Sequence, residues 1–264
     1  MSILKKFDLT GKCALINHPE QVYGREIAAG LMDAGAKVWF SGPDLAALED
    51  LAGALAEEGH EVSGIFRYSQ GTREAADALG EAVKEEMPSL DIIVENSSGM
   101  HMTGWDQSFE DIYRQLTVTQ TGVMLTVQSL GRVMVSQGRK GSLILVSDYS
   151  ALVGCDPYNY IGAPEDAEED FSADYGFVHG SYVNYARQTA GHLGLYGCRS
   201  NCIAYGPLSC TKSAAFEENF IRHTHIKRLA NAEDIAGIAV FLASDASEYI
   251  TGTTIPVDGG YVAK

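Results

Sequence analysis

Short apolar runs alternate with amphipathic segments along most of this chain. Runs rich in β-branched and aromatic residues predict strands, whereas apolar residues that repeat every three or four positions predict helices. Strands are predicted over Gly11–Asn17, Lys37–Ser41, Glu61–Phe66, Asp91–Glu95 and Ser142–Ser147, and helices over Arg25–Gly35, Ala46–Gly59, Thr72–Met87 and Thr117–Gln137. Strands that are apolar along their whole length are buried on both faces. The pattern therefore predicts an α/β fold with a Rossmann-like, doubly wound parallel sheet.

The second half of the chain continues this alternation after one acidic stretch. A helix is predicted over Gly180–Tyr196 and a strand over Arg199–Ala204. Residues 156–174 carry clustered carboxylates and predict an acidic loop insertion rather than a domain boundary. With no linker or repeat elsewhere, we expect residues 1–264 to form a single domain.

Composition narrows the class of protein. The 264 residues are 45% hydrophobic, enough for one large core, and the net charge of −16 argues against nucleic acid or anionic membrane as a partner. The five cysteines form no CxxC pair, so we expect neither a disulfide framework nor a metal site. Because no apolar run is long enough to span a bilayer, we expect a soluble, cytoplasmic protein without a membrane association.

Several sequence motifs occur in an order typical of one enzyme family. They are Leu9-Thr10-Gly11-Lys12, Arg199-Ser200-Asn201-Cys202, Asp234-Ile235-Ala236-Gly237 and Val257-Asp258-Gly259-Gly260. Over essentially the whole chain the sequence resembles the short-chain dehydrogenase/reductase family. The resemblance implies a dinucleotide-binding fold, but the chemistry has to be argued from the site residues.

The coenzyme loop that the family writes as TGxxxGxG is degenerate in this chain. The alignment places Asn17 at the Thr, His18 and Val22 at the first two glycines, and Gly24 at the third. Glycines in such a turn let backbone N–H groups approach the pyrophosphate at the helix N-terminus. A side chain at Val22 blocks that approach and Pro19 removes one N–H donor, so we expect no coenzyme to bind this chain.

The other coenzyme contacts of the family are altered as well. The second strand ends in Ser41-Gly42-Pro43, without the carboxylate that contacts a ribose in NAD sites. The adenine-contacting Asp of the family falls at Arg67-Tyr68, and its NNAG turn reads Glu95-Asn96-Ser97-Ser98. The ribose and adenine contacts of the family are therefore altered together with its glycine-rich loop.

The resemblance also places the family's catalytic Asn, Ser, Tyr and Lys. In this chain those positions are Thr119, Asp148, Tyr175 and His179. A carboxylate at Asp148 disfavours an oxyanion, and a histidine, unlike lysine, is not a permanent cation near neutral pH. We therefore expect no functional catalytic set. Tyr182 and Tyr185 are alternative candidates for the tyrosine, but neither is followed four residues later by a base, and Tyr175 and His179 also fit simple packing or capping roles.

The elements that pair subunits in the family's tetramers are intact: the helices over Ser108–Gln137 and Gly180–Tyr196, and the C-terminal strand with Val257-Asp258-Gly259-Gly260. Together with the degenerate site, they favour a non-catalytic subunit in a hetero-oligomer, most simply a tetramer, with an active homologue that carries NAD.

Two other functional hypotheses stay open at this point. One is a coenzyme-independent lyase or isomerase resembling halohydrin dehalogenases, with a pocket lined by His18, Tyr23, Asp148, Tyr175 and His179. That match is partial, because those enzymes pair their tyrosine with an arginine and keep a serine. The other reading is an active dehydrogenase with unusual coenzyme contacts.

Overall fold

The computed structural model describes residues 2–97, 102, 104–209 and 211–263, apart from the side chains of residues 168–170. Ser98 of the altered NNAG turn and Cys210 lie outside the described residues. The strands are β1 (Cys13–Asn17), β2 (Lys37–Gly42), β3 (Gly64–Arg67), β4 (Ile92–Glu95), β5 (Ser142–Asp148), β6 (Arg199–Tyr205) and β7 (Thr254–Val257). The helices are α1 (Gly24–Asp33), α2 (Leu45–Glu57), α3 (Arg73–Glu86), α4 (Phe109–Leu116), α5 (Val123–Ser136), α6 (Pro164–Asp170), α7 (Tyr175–Gly194), α8 (Ala214–His223) and α9 (Ala232–Ala243).

All seven strands form one parallel sheet in the order β3-β2-β1-β4-β5-β6-β7. This confirms the predicted doubly wound fold. Successive strand residues point to opposite faces of the sheet, so Ala14 and Ile16 enter one core while Cys13 and Leu15 enter the other. The first core includes residues of α1, α2 and α9, and the second includes residues of α3, α5 and α7.

Close backbone approach fixes α1 against α9. A Cβ added at Gly30 of α1 would lie 2.6 Å from the Cβ of Ala236 on α9. No real Cβ pair is that close, so only glycine permits this spacing. The two helices therefore pack with their backbones in close contact at Gly30.

The acidic insertion contains two short helices, and its prediction as a loop was wrong. A 3-10 turn spans Pro157–Tyr160 and α6 follows it. Apolar residues that lie between the carboxylates explain why this segment is helical. Tyr160 and Ala163 are buried in a third hydrophobic cluster, which also contains Phe216 of α8. Asp166 accepts from the Ser213 hydroxyl (2.6 Å), which ties the insertion to the cap of α8.

Three predicted bounds also shift. The long helix begins at Phe109 and contains a π-helical turn over Thr117–Gly122, whereas α7 begins at Tyr175 rather than Gly180. The last strand ends at Val257, and Asp258-Gly259-Gly260 is a turn in which both glycines have positive φ. Among the described residues, no helix combines the length and the apolar character needed to cross a bilayer.

Candidate functional site

The candidate site lies where the strand order reverses, between β1 and β4. In open parallel sheets a crevice forms at this point, outside the carboxyl ends of the strands. The turns after β1, β4, β5 and β6 surround it. The altered coenzyme-loop and catalytic positions lie at the ends of β1 and β5, in the turn after β1, or in the helical segments after β4 and β5, whereas Ser41-Gly42-Pro43 and Arg67-Tyr68 lie at the ends of β2 and β3.

The turn between β1 and α1 is folded upon itself. His18 (φ 54°) and Tyr23 (φ 76°) both adopt left-handed backbone conformations, which is unusual for residues with side chains. A Cβ at Gly24 would lie 2.4 Å from the Pro19 carbonyl oxygen. Thus Gly24, the one glycine kept from the family motif, leaves room for Pro19.

A histidine and a carboxylate lie in the same turn. His18 Nδ1 is 2.8 Å from Glu20 Oε1, and both side chains are largely buried. Glu20 Oε2 is 3.2 Å from the point where a Cβ of Gly42 would lie, so the carboxylate covers the end of β2. A dinucleotide bound here would bring its phosphates toward a carboxylate, which disfavours binding.

Beneath the turn lies a buried polar network. Asn17 Nδ2 is within 3.2 Å of Gln70, Glu95 and Ser97 oxygens, and Asn17 Oδ1 accepts from the Ser41 hydroxyl at 3.0 Å. Glu95 is fully buried, and this burial raises the pKa of its carboxyl above the ordinary value. In this network the polar side chains at the ends of β1, β2 and β4 form hydrogen bonds with other protein groups.

Two hydrogen bonds cross the crevice. The Tyr23 hydroxyl donates to the Gly206 carbonyl at 2.9 Å, and its ring packs on that of Tyr205 with centroids 4.6 Å apart. Since β4 and β5 lie between β1 and β6, this bond joins turns that follow strands separated by two others in the sheet. Gln70 Nε2 donates to the Val118 carbonyl at 3.0 Å and forms the second bridge.

The catalytic positions are only partly brought together. The Tyr175 and His179 rings lie one helical turn apart on α7, with centroids separated by 4.8 Å. His179 is buried, and the Ser147 hydroxyl donates to its carbonyl at 3.1 Å and lies 3.4 Å from its Nδ1. Tyr175 is half-buried at the first residue of the helix.

The other two positions are bonded to their own backbone. Thr119 is buried in the π-helical turn, where its hydroxyl donates to the Gln115 carbonyl at 2.8 Å. Asp148 ends β5 and accepts from the Ser150 N–H at 2.7 Å, which caps the following 3-10 turn. The carboxylate therefore has a local structural role at the position where the family has a hydroxyl.

The alternative tyrosine Tyr182 is part of the core. It is 1% exposed and its hydroxyl donates to the Ser97 carbonyl. Burial raises its pKa well above the ordinary value, so it is a poor proton donor or acceptor. Of the three tyrosines considered, Tyr175 keeps the position beside the crevice.

Sequence reasoning missed the contacts that Glu20, Tyr23 and Gln70 make at the site, with His18, Gly206 and Val118 respectively. An acidic residue inside the turn, together with the absence of one after β2, was a signal for Glu20. Nothing local to Gln70 pointed to its bond with Val118, because that contact depends on the fold.

Known proteins that are similar to this chain share its fold, and the relatives named below are dehydrogenases. A family model described as Enoyl-(Acyl carrier protein) reductase matches residues 20–262. The chain is 28% identical to the 2-dehydro-3-deoxy-D-gluconate 5-dehydrogenase of Pseudoalteromonas atlantica, covering 99% of this chain and 100% of the relative. It is 30% identical to the L-rhamnose 1-dehydrogenase (NAD(P)(+)) of Azotobacter vinelandii, covering 96% and 97%. A short-chain type dehydrogenase/reductase structure from Mycobacterium marinum superposes with a TM-score of 0.86 at 26% identity, covering 100% of both chains.

Proposed function

The chain belongs to the short-chain dehydrogenase/reductase family, and we propose that within it this protein is a non-catalytic subunit that supports an active, NAD-carrying homologue. The observation that carries the proposal is the bond between Tyr23 and Gly206, which closes the crevice with the protein's own side chain. Glu20 and Pro19 oppose a pyrophosphate in the same turn. We expect the chain to bind no coenzyme.

Loss of the catalytic hydroxyl and lysine supports the same proposal. Asp148 is committed to capping a turn, and His179 is buried beside Ser147. Restoring hydride transfer would require both a coenzyme and a base in place of these contacts.

The partner is expected to pack on the face formed by α5 and α7. Arg132 and Arg187 are the only Asp, Glu, Lys or Arg residues in these two helices, although 20% of the chain is charged. Depletion of charge is typical of the core of an interface. A groove of about 590 Å³ runs between the helices, with Val127, Val135 and Leu193 in its walls.

Exposed aromatic residues extend this surface along α4. Phe109 is 74% and Tyr113 64% exposed, and their rings stack with centroids 6.0 Å apart. No residue of α4 is buried in the isolated chain. Because the helical segment continues from α4 into α5, both would be covered together by a homologue that packs through a pseudo-twofold axis.

The specific assembly we propose is the one that whole-chain resemblance indicates: hydroxybenzylsuccinyl-CoA dehydrogenase of anaerobic toluene degradation, a heterotetramer. In that reaction the partner's NAD takes a hydride from the carbon bearing the hydroxyl of the CoA thioester, and the hydroxyl proton is released. The ketone product is benzoylsuccinyl-CoA. This chain would contribute structural support and no reacting group.

Co-purification at native levels tests the subunit role. We expect this chain to travel with a homologue that has intact TGxxxGxG and YxxxK motifs. Val135→Glu, which places a charge in the groove, is expected to abolish the association, whereas Val22→Glu adds the same charge outside it and leaves the association unchanged. Purification as a homo-oligomer with no homologue would contradict the proposal and would call for a screen of coenzyme-independent activities.

A further inference from the structure

A second cavity lies at the opposite edge of the sheet from the crevice. It has a volume of about 490 Å³ and lies where β1, β5 and β6 begin. We name it the basal cavity and define it by Lys6, Lys12, Lys140 and Arg199 in its walls. Neither the crevice nor the α5 and α7 face includes any of these four residues.

Four cations from separate segments meet in the basal cavity. Lys6 belongs to the N-terminal 3-10 turn, Lys12 precedes β1, Lys140 precedes β5, and Arg199 begins β6. The chain as a whole has 35 acidic and only 19 basic residues. A cluster of four basic side chains is therefore unusual in this acidic chain. The net negative charge of the rest of the protein repels anions.

The carboxylates in the cavity wall leave part of this positive charge unneutralised. Asp245 lies 3.5 Å from Lys12, and Glu248 pairs with Lys140 and lies 4.0 Å from Lys6, so two carboxylates that are more than half exposed serve three lysines. Exposed ion pairs of this kind contribute little to stability, and their side chains rearrange readily. The third carboxylate, Asp91, is 2.9 Å from an arginine outside the cavity wall, Arg139.

Arg199 has no carboxylate paired with it among the described residues. Its Nη2 donates to the carbonyls of Leu242 (2.8 Å) and Ser244 (3.2 Å), which carry no charge. Its Nη1 is buried and has no hydrogen-bond acceptor within the described ranges. Burial also lowers the pKa of the guanidinium, and the nearby charges of Asp245 and Glu248 offset this only in part. A bound oxyanion would supply both the acceptor and the counter-charge.

We propose that the basal cavity binds a phosphate-bearing anion, such as a phosphate ester or pyrophosphate. Arg199 Nη1 can donate to a phosphate oxygen, and the ammonium groups of Lys12 and Lys140 act as point charges beside it once their exposed carboxylate partners move aside. Three lysines and an arginine exceed what a single carboxylate ligand needs. The site is independent of the subunit role proposed above.

Calorimetric titration of the full chain with sodium pyrophosphate, at constant ionic strength, tests this site. We expect saturable binding to one site, weakened tenfold or more by Lys12→Gln and by Lys140→Gln. Lys84→Gln is the matched control, because Lys84 is exposed on α3 and pairs with Glu81 at 3.7 Å; its affinity should equal that of the wild type.

Three results would overturn the proposal: no saturable binding, equal affinity in the Lys12→Gln and wild-type chains, or the same heat when sodium chloride replaces pyrophosphate. Arg199→Lys should also weaken binding, but Arg199 holds two backbone carbonyls. If that variant does not fold, the two lysine variants decide, after their unfolding midpoints show that each is folded.

Discussion

The Tyr23 hydroxyl donates a hydrogen bond to the Gly206 carbonyl at 2.9 Å and joins the turn after β1 to the turn after β6. These residues are 183 positions apart in the sequence. The bond crosses the carboxyl edge of the sheet, where ligands of this fold enter. A single tyrosine in the left-handed conformation thus links the two turns, which in our proposal obstructs the coenzyme.

Tyr23→Phe is expected to lower the free energy of unfolding by about 1–2 kcal/mol, because it leaves the buried Gly206 carbonyl without its donor. The variant should still bind no NAD, since Glu20 and Pro19 remain in the turn. Denaturant unfolding and an NAD titration measure the two effects. Tyr113→Phe, on the exposed face of α4, is the control and should leave stability unchanged; equal losses in both variants would contradict a structural role for the Tyr23 bond.

Repair of the catalytic set alone should not restore activity. The double variant Asp148→Ser, His179→Lys recreates the family's serine and YxxxK spacing with Tyr175. We expect no NADH formation with hydroxylated substrates, because the closed crevice still excludes the coenzyme. Appearance of NADH would show that the coenzyme site is functional and that only the catalytic residues had been lost.

Glu95→Gln should stabilise the protein at neutral pH. Burial raises the pKa of Glu95 in the folded chain above its ordinary value of 4.5, so the folded state binds more protons than the unfolded state. Stability of the wild type therefore falls as pH rises from 4.5 through the raised pKa, and the glutamine variant lacks this loss. Unfolding free energies of both proteins across this range measure the effect.

Below pH 4.5 the wild type and Glu95→Gln should converge, because the carboxyl is protonated in both states. Glu85→Gln, on the exposed face of α3, serves as the control. A difference between Glu95→Gln and wild type that stays constant with pH would contradict a buried carboxyl that takes up a proton on folding.

Gly30→Ala and Gly53→Ala should change stability in opposite directions. At Gly30 the added Cβ would lie 2.6 Å from the Cβ of Ala236, and overpacking of this kind costs about 1–3 kcal/mol. At Gly53, in the middle of α2, nothing lies within 4 Å of the added Cβ, and the gain in helix propensity should be about 0.5–1 kcal/mol. Thermal or denaturant unfolding measures both; stabilisation of Gly30→Ala would contradict the close contact of α1 with α9.

The sequence was sufficient for the fold because its signals are local. Apolar runs such as Leu143–Val146 and the helical repeat of α3 each specify one element, and continuous burial specifies a parallel sheet. The helix within the acidic insertion escaped prediction, since its few apolar residues pack on α8, which follows much later in the chain.

The site was predictable as a set of positions and not as a set of contacts. Register with the family located Asn17, Asp148, Tyr175 and His179, and the helical spacing of the last two explains their ring contact. The bridge from Tyr23 joins two turns that become neighbours only when the sheet forms. Closure of the crevice is therefore a property of tertiary structure, which local patterns do not encode.

Calorimetric titration of NAD into the isolated chain, and into its complex with the co-purifying homologue, tests the central claim most directly. We expect no saturable binding to the isolated chain up to about 1 mM NAD, and one NAD for each active partner subunit in the complex. Saturable binding of NAD by the isolated chain, or binding by every subunit of the complex, would contradict it.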